Sequence, residues 1–274
     1  MIQSGARLFD IGVNLTSSQF DKDRTEIVEK AFAAGVEHFV ITATNASETA
    51  KALELLPNFT NLYTTAGCHP HDAKDFLPEH LNYLKLAYQQ NPQVVAIGEC
   101  GLDYNRDFSP RDVQRQVFAQ QLQLADQLAA PLFLHQRDAH EDFVRLLTQH
   151  VSDYSRAVVH CFTGTEQELA TYIDMGCYIG ITGWVCDERR GQHLLPLLRK
   201  IPADRLLIET DAPYLIPRHI QKKTKSRRNQ PAYLVEIARF IAEQLGISFE
   251  QLASQTRENS LRFFQLNNKY KMGE

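Results

Sequence analysis

At 274 residues, with 43% hydrophobic and 23% charged residues, the chain has the composition of a globular protein with a large core, which excludes disorder as its main state. The net charge of -4 excludes a global basic field, so any polyanion must be held by a local patch. Five cysteines, an odd number without a CxxC pair, exclude a disulfide framework and suit a reducing compartment.

Short apolar runs alternate with longer amphipathic ones from residue 8 onward. The short runs cover 8–13, 38–43, 62–66, 94–97, 131–134, 157–159, 177–181 and 206–208, giving eight strand candidates. Helical patterns lie between them: 23–34 ends at Gly35, 46–56 at Pro57, and 78–90 before Asn91-Pro92. The stretch 112–128 places Val113, Val117, Phe118, Leu122, Leu124 and Leu128 near one face, and 165–175 ends at Gly176. Two more helices, 230–245 and 248–264, follow the eighth strand. Repeated strand-then-helix units without a flexible linker predict a single (β/α)8 TIM barrel over residues 1–274, with a doubly wound open sheet as the rival. The N-terminal nine residues lack the apolar core of a signal peptide, and no run is long enough to span a bilayer; the expectation is a cytoplasmic protein without a membrane partner.

A barrel of this kind carries its chemistry where its strands end. The fourth run stops at Glu99, set between Gly98 and Gly101 in the stretch Gly98-Glu99-Cys100-Gly101, which suggests a carboxylate with cleared space around it. The fifth run ends at His135, the sixth at His160 and the eighth at Glu209-Thr210-Asp211. One Glu, two His and one Asp on four strand ends suit a hard or borderline divalent metal that activates water and neutralises a phosphoryl group. A lone strand-end His is more often a hydrogen-bonded structural residue, and the case rests on the four occurring together. His69 and His71 stand either as a proline-rigidified loop or as groups that hold a phosphate or leaving group. Asp103 either caps a turn or serves the site. No nucleotide-binding glycine loop and no GxSxG elbow occur.

The segments Ala66-Gly67-Cys68-His69-Pro70-His71, Ile97-Gly98-Glu99-Cys100-Gly101-Leu102-Asp103, His160-Cys161-Phe162-Thr163-Gly164 and Glu209-Thr210-Asp211-Ala212-Pro213-Tyr214 resemble the successive signatures of the TatD family of metal-dependent deoxyribonucleases, within the metal-dependent hydrolase superfamily of TIM barrels. Around Asp10 to Thr16 and Gly183 to Arg190 the chain is similar to the bacterial branch of that family. The resemblance implies that Glu99, His135, His160 and Asp211 ligate metal, with Glu99 and Asp211 catalytic and Asp211 orienting or deprotonating the attacking water. Many members carry His-x-His after the first strand. Here Gly12-Val13-Asn14 stands instead, leaving Asn14 as a carbonyl ligand and tilting preference to Mg2+ or Mn2+ over Zn2+.

The implied activity is 3′ to 5′ exonucleolytic hydrolysis of single-stranded DNA, extending to RNA, in DNA repair or nucleic-acid clearance, by a monomer. The basic run holding Arg218, Lys222, Lys223, Arg227 and Arg228 is suited to phosphates, as are Arg106, Arg137, Arg189 and Arg190; the alternative for the run is a solvated loop. Tyr104, Phe162, Trp184 and Tyr214 are candidates to stack on bases, against packing beneath the loops. Two further functions remain open: a metal-dependent amide or ester hydrolase, such as one acting on a D-aminoacyl ester, and a non-catalytic nucleic-acid-binding protein.

Overall fold

The structure is a computed structural model and describes residues 5–224 and 227–266, with the side chain of Lys223 outside that set. Eight strands and ten α-helices are formed by the described residues: β1 (Leu8–Val13), α1 (Arg24–Ala33), β2 (Val36–Ile41), α2 (Ala46–Leu55), β3 (Leu62–Ala66), α3 (Pro78–Gln90), β4 (Val94–Asp103), α4 (Arg111–Leu128), β5 (Leu132–Arg137), α5 (His140–His150), β6 (Ala157–Val159), α6 (Glu166–Asp174), β7 (Tyr178–Ile181), α7 (Leu195–Leu198), β8 (Leu206–Ile208), α8 (Arg218–Thr224), α9 (Leu234–Leu245) and α10 (Phe249–Phe263). The strands form one parallel sheet in sequential order from β1 to β8, with helices between them, which is the (β/α)8 fold class. Parallel strands covered on both faces read as continuous apolar runs, and all six residues of β1 are buried.

Several helices begin where a side chain can take an orphan N–H. Asn45 accepts from Glu48 N at 2.9 Å ahead of α2, and Ser248 from Gln251 N at 3.0 Å ahead of α10. Helix α9 ends at Gly246, whose φ of 72° is the left-handed geometry that glycine supplies without steric cost. Helices α5, α7 and α8 have no counterpart among the helical stretches expected from the sequence. Helix α5 buries only Phe143, Leu146 and Leu147, a stripe too short to stand out from the polar residues around it. The basic run begins as the helix α8 rather than as a loop.

Within this fold the chain divides into two compact units, each discontinuous in sequence. The first comprises residues 1–41, 161–169 and 179–274; the second comprises 42–160 and 170–178. In the first, β1 pairs with β2, placing Phe9 opposite His38, and the Phe9 ring stacks on Phe264 at 5.7 Å. The chain beyond β1 also meets the chain beyond β8: Asn14 N donates to Ala212 O at 2.7 Å and Asp211 N to Gly12 O at 2.9 Å. In the second, β3 pairs with β4, β4 with β5 and β5 with β6, and helices α4 and α5 bring Phe118 and Phe143 into a stack at 5.3 Å. No helix among the described residues is long and apolar enough to cross a membrane.

Candidate metal centre

Strand β4 does not stop at Ile97 but runs on to Asp103, with its register to β5 shifting between Gly98 and Cys100. Glu99 stands on that shift, so its side chain leaves the strand where the regular pairing is broken. The flanking glycines serve a different purpose from the one expected. A Cβ on Gly98 would sit 2.2 Å from Phe133 O, and one on Gly101 would sit 1.8 Å from His135 O. Their φ values of 140° and 151° also disfavour a side chain. The cleared space is filled by the backbone of β5, and this close approach brings His135 up to Glu99.

Three imidazoles of the second unit converge on one carboxylate oxygen. Glu99 Oε1 lies 2.7 Å from His160 Nε2, 3.0 Å from His135 Nδ1 and 3.3 Å from His69 Nε2. Glu99 is 6% exposed. Burial by itself would raise its carboxyl, but the facing His160 and His69 outweigh burial and hold it well below the usual range. Burial would likewise depress His135, yet the carboxylates of Asp103 and Glu99 raise it. The other ring nitrogen of His135, Nε2, lies 3.5 Å from Asp103 Oδ2, so the ring is oriented between two carboxylates with Nδ1 toward Glu99.

Ligand atoms from His69, Glu99 and His135 lie within 4.8 Å of one another. His69 nevertheless has a different role. Its Nδ1 accepts the backbone N–H of His71 at 3.1 Å, so the neutral ring carries its proton on Nε2, the nitrogen that faces Glu99. A protonated nitrogen donates a hydrogen bond and cannot bind metal. The donor set that fits a divalent cation is therefore Glu99, His135 and His160, with His69 as an N–H donor beside it.

Asp103 performs both tasks foreseen for it. Its Oδ1 accepts from Asn105 N at 3.0 Å and Arg106 N at 2.8 Å, capping the turn, while Oδ2 takes His71 Nε2 at 2.7 Å. Burial pushes its carboxyl up, but the two histidines and the Arg106 N–H pull it down further and keep it ionised.

In the first unit, Asp211 has φ of 52°, and its Oδ1 accepts from Asn14 Nδ2 at 2.8 Å. Asn14 thus presents its amide nitrogen to a carboxylate, which holds Asp211 in one orientation. The neighbouring Thr210 binds Asp10, its N donating at 2.9 Å and its Oγ1 at 2.5 Å. Asp10 is fully buried with no cation at its carboxyl, and burial pushes its pKa up to about 8 despite these bonds. Glu209, also fully buried, accepts from Cys161 N at 2.6 Å and so fixes the turn after β6, where Cys161 has φ of 46°.

Residues 9–265 match the TatD-related DNase family. The chain belongs to that family. Among curated proteins it is similar to the 3′-5′ ssDNA/RNA exonuclease TatD of Salmonella typhimurium, 50% identical over 94% of this chain and 99% of the relative. The exonuclease of the same name from Pectobacterium atrosepticum is 52% identical over 94% of this chain and 100% of the relative. Among solved structures, a TatD homologue from Escherichia coli superposes with a TM-score of 0.87 at 28% identity, covering 96% of this chain and 99% of the other. A TatD family hydrolase from Entamoeba histolytica gives 0.84 at 29% identity, covering 95% and 99%.

The remaining residues that the TatD resemblance marked for substrate are placed unevenly. Phe162 is 4% exposed, which is the packing that stood as the alternative to stacking, and its N donates to Gly180 O at 2.9 Å. One face of Trp184 is covered by the Arg190 guanidinium at 4.3 Å, and one face of Tyr104 by Arg111 at 4.4 Å. Tyr214 is exposed. Much of the basic charge is met by nearby acids: Arg189 and Arg190 bind Asp187, Lys222 and Arg218 face Glu188, and Arg228 pairs with Asp23 at 2.5 Å. Arg227 and Arg106 are exposed, Arg137 is half-buried, and the side chain of Lys223 lies outside the described residues. The tautomer of His69, the tether from Asn14 to Asp211 and the buried Glu209 were missed in the sequence. Glu209 had a signal, a carboxylate at a strand end two residues from Asp211; the other two depend on the backbone N–H of His71 at the His69 ring and on a side-chain contact between residues remote in sequence, neither of which spacing reveals.

Proposed function

We propose that this protein is a divalent-metal-dependent 3′ to 5′ exonuclease acting on single-stranded DNA and RNA. The observation that carries this reading is the convergence of His135 and His160 on one buried oxygen of Glu99. The family supports the substrate class, since the curated relatives are named for that activity over nearly their whole length. Glu99, His135 and His160 are the residues that would hold the ion, and with Gly12 and Asn14 where the family often has two imidazoles, Mg2+ or Mn2+ is the reading preferred to Zn2+. When bound, such an ion supplies Lewis-acid polarisation of the phosphoryl group and eases deprotonation of water.

The chain's own groups do the rest. Asp211, assigned as base by the family resemblance, takes the proton of the attacking water, and the Asn14 amide fixes its carboxylate in rotation. His69, its ring fixed by the His71 backbone, donates its Nε2–H toward Glu99 Oε1 and so orients the carboxylate that would hold the ion. Asp103 anchors His71, and Arg106 and Arg137 contribute positive charge toward the phosphates. The test is release of mononucleotides from single strands labelled at the 5′ end, with Mn2+ or Mg2+ present. A strand blocked at its 3′ end should resist, and Asp211→Asn should be inactive. Degradation of the 3′-blocked strand, or full activity in Asp211→Asn, would refute the reading. Hydrolysis of a D-aminoacyl ester at a rate above that on the oligonucleotide would favour the amide and ester hydrolase instead.

A further inference from the structure

We propose that Phe108 is a nucleobase-stacking residue of this site, a proposal that rests on the nuclease reading above. Four rings of the second unit form a continuous row: His135 meets His69 at 4.5 Å, His69 meets His71 at 4.2 Å, and His71 meets Phe108 at 4.7 Å, every step edge to face. The row starts at the carboxylate that gathers the histidines and ends in solvent, for Phe108 is 56% exposed. An isolated exposed phenylalanine needs no explanation. This one is held outward by a loop with little freedom.

Asp103 caps the backbone of Asn105 and Arg106, and the Asn105 amide is tied to Asp138 at 2.7 Å. Directly after Phe108, the fully buried Ser109 donates to His71 O at 2.8 Å and accepts from Lys74 N at 3.0 Å, while Gln114 Nε2 donates to its carbonyl at 2.8 Å. The loop between β4 and α4 is thus anchored on both sides of the ring, and the ring is presented without the entropic cost of ordering it on binding. The same loop carries the exposed Arg106, a cation for the backbone of the strand whose base the ring would receive. Every base has a π-face, so stacking there fits an exonuclease that must accept any sequence. The other aromatic candidate of this unit does not compete: Tyr104 is bound through its hydroxyl to Asp142 at 2.7 Å and covered on one face by Arg111.

The experiment uses single-stranded oligonucleotides carrying 2-aminopurine at successive positions from the 3′ end, bound to the full-length protein in EDTA, so that no cleavage is required. Wild-type protein should quench the emission at one position near the 3′ end. Phe108→Ala should abolish that quenching and weaken binding about five- to a hundredfold, and Phe108→Trp should restore both. An abasic site at the quenched position should remove the difference between wild type and Phe108→Ala. Undiminished quenching in Phe108→Ala, or a binding loss that persists against the abasic strand, overturns the proposal. Quenching that follows Phe108 in a protein that then cleaves nothing on addition of Mn2+ would sustain the stacking site and refute the nuclease reading. Failure of the wild-type protein to bind any strand would overturn both.

Discussion

The histidine cluster of the second unit and the aspartate network of the first are both buried and polar, but they are completed in opposite ways. Around Glu99 three imidazoles crowd a single carboxylate oxygen. Around Asp10, by contrast, the donors are neutral groups spread over both oxygens, the hydroxyl and N–H of Thr210 and the N–H of Gly12. The first arrangement gathers metal-ligating atoms at one point; the second sets the backbone that carries Asp211. A buried polar cluster therefore suits a cation only when its ligating atoms converge.

Substitutions should separate the two regions. The largest effect is expected for Glu99→Ala, which removes the carboxylate on which the cation would sit; exonuclease rate should fall by about a thousandfold or more, and Mn2+ binding followed by calorimetry should vanish. Next, His69 and His135 should part company although both touch Glu99. His69→Ala should lower kcat up to about a hundredfold, as loss of a group that orients a metal ligand does, with Mn2+ affinity nearly unchanged. His135→Ala should lower Mn2+ affinity itself. Equal loss of Mn2+ affinity in both variants would make His69 a ligand and overturn the tautomer assigned to it.

In the first unit, Asn14→Ala removes a hydrogen bond to a charged carboxylate, a contribution of about 1.5–3 kcal/mol. The expected outcome is a kcat about ten- to a hundredfold lower with Mn2+ affinity intact, measured by steady-state kinetics beside calorimetry. Asp10 should affect stability more than rate. Its carboxyl stays protonated in the fold up to about pH 8, whereas in the unfolded chain it ionises near 4. The native state then binds the extra proton between those values, so this contribution is fully present below about pH 4 and is lost as pH rises through 8. Urea midpoints of Asp10→Asn should accordingly depend less on pH across that window than those of the wild type.

Much of this was legible in the chain. The apolar runs ending at Glu99, His135 and His160 marked strands β4, β5 and β6 because parallel strands must be apolar on both faces, and their first polar residue stands where the sheet gives way to loops. The extent of β4 was hidden, since a strand that continues through Glu99 to Asp103 with a register shift has no one-dimensional pattern. For the same reason the glycines were read as space for a ligand when β5 fills that space. The basic run between Arg218 and Arg228 looked like a phosphate patch because Glu188 and Asp23, which meet its charges, are remote in sequence. Phe162 follows a strand end, a position open equally to stacking and to packing beneath the loops, and it is buried.

The measurement that bears most directly on the account is the anomalous difference density of a crystal grown with Mn2+. The account predicts a strong peak at Glu99 within ligand distance of His135 and His160, with His69 outside the coordination shell. A peak elsewhere in the molecule with none at Glu99, or one coordinated through His69 Nε2, would contradict it.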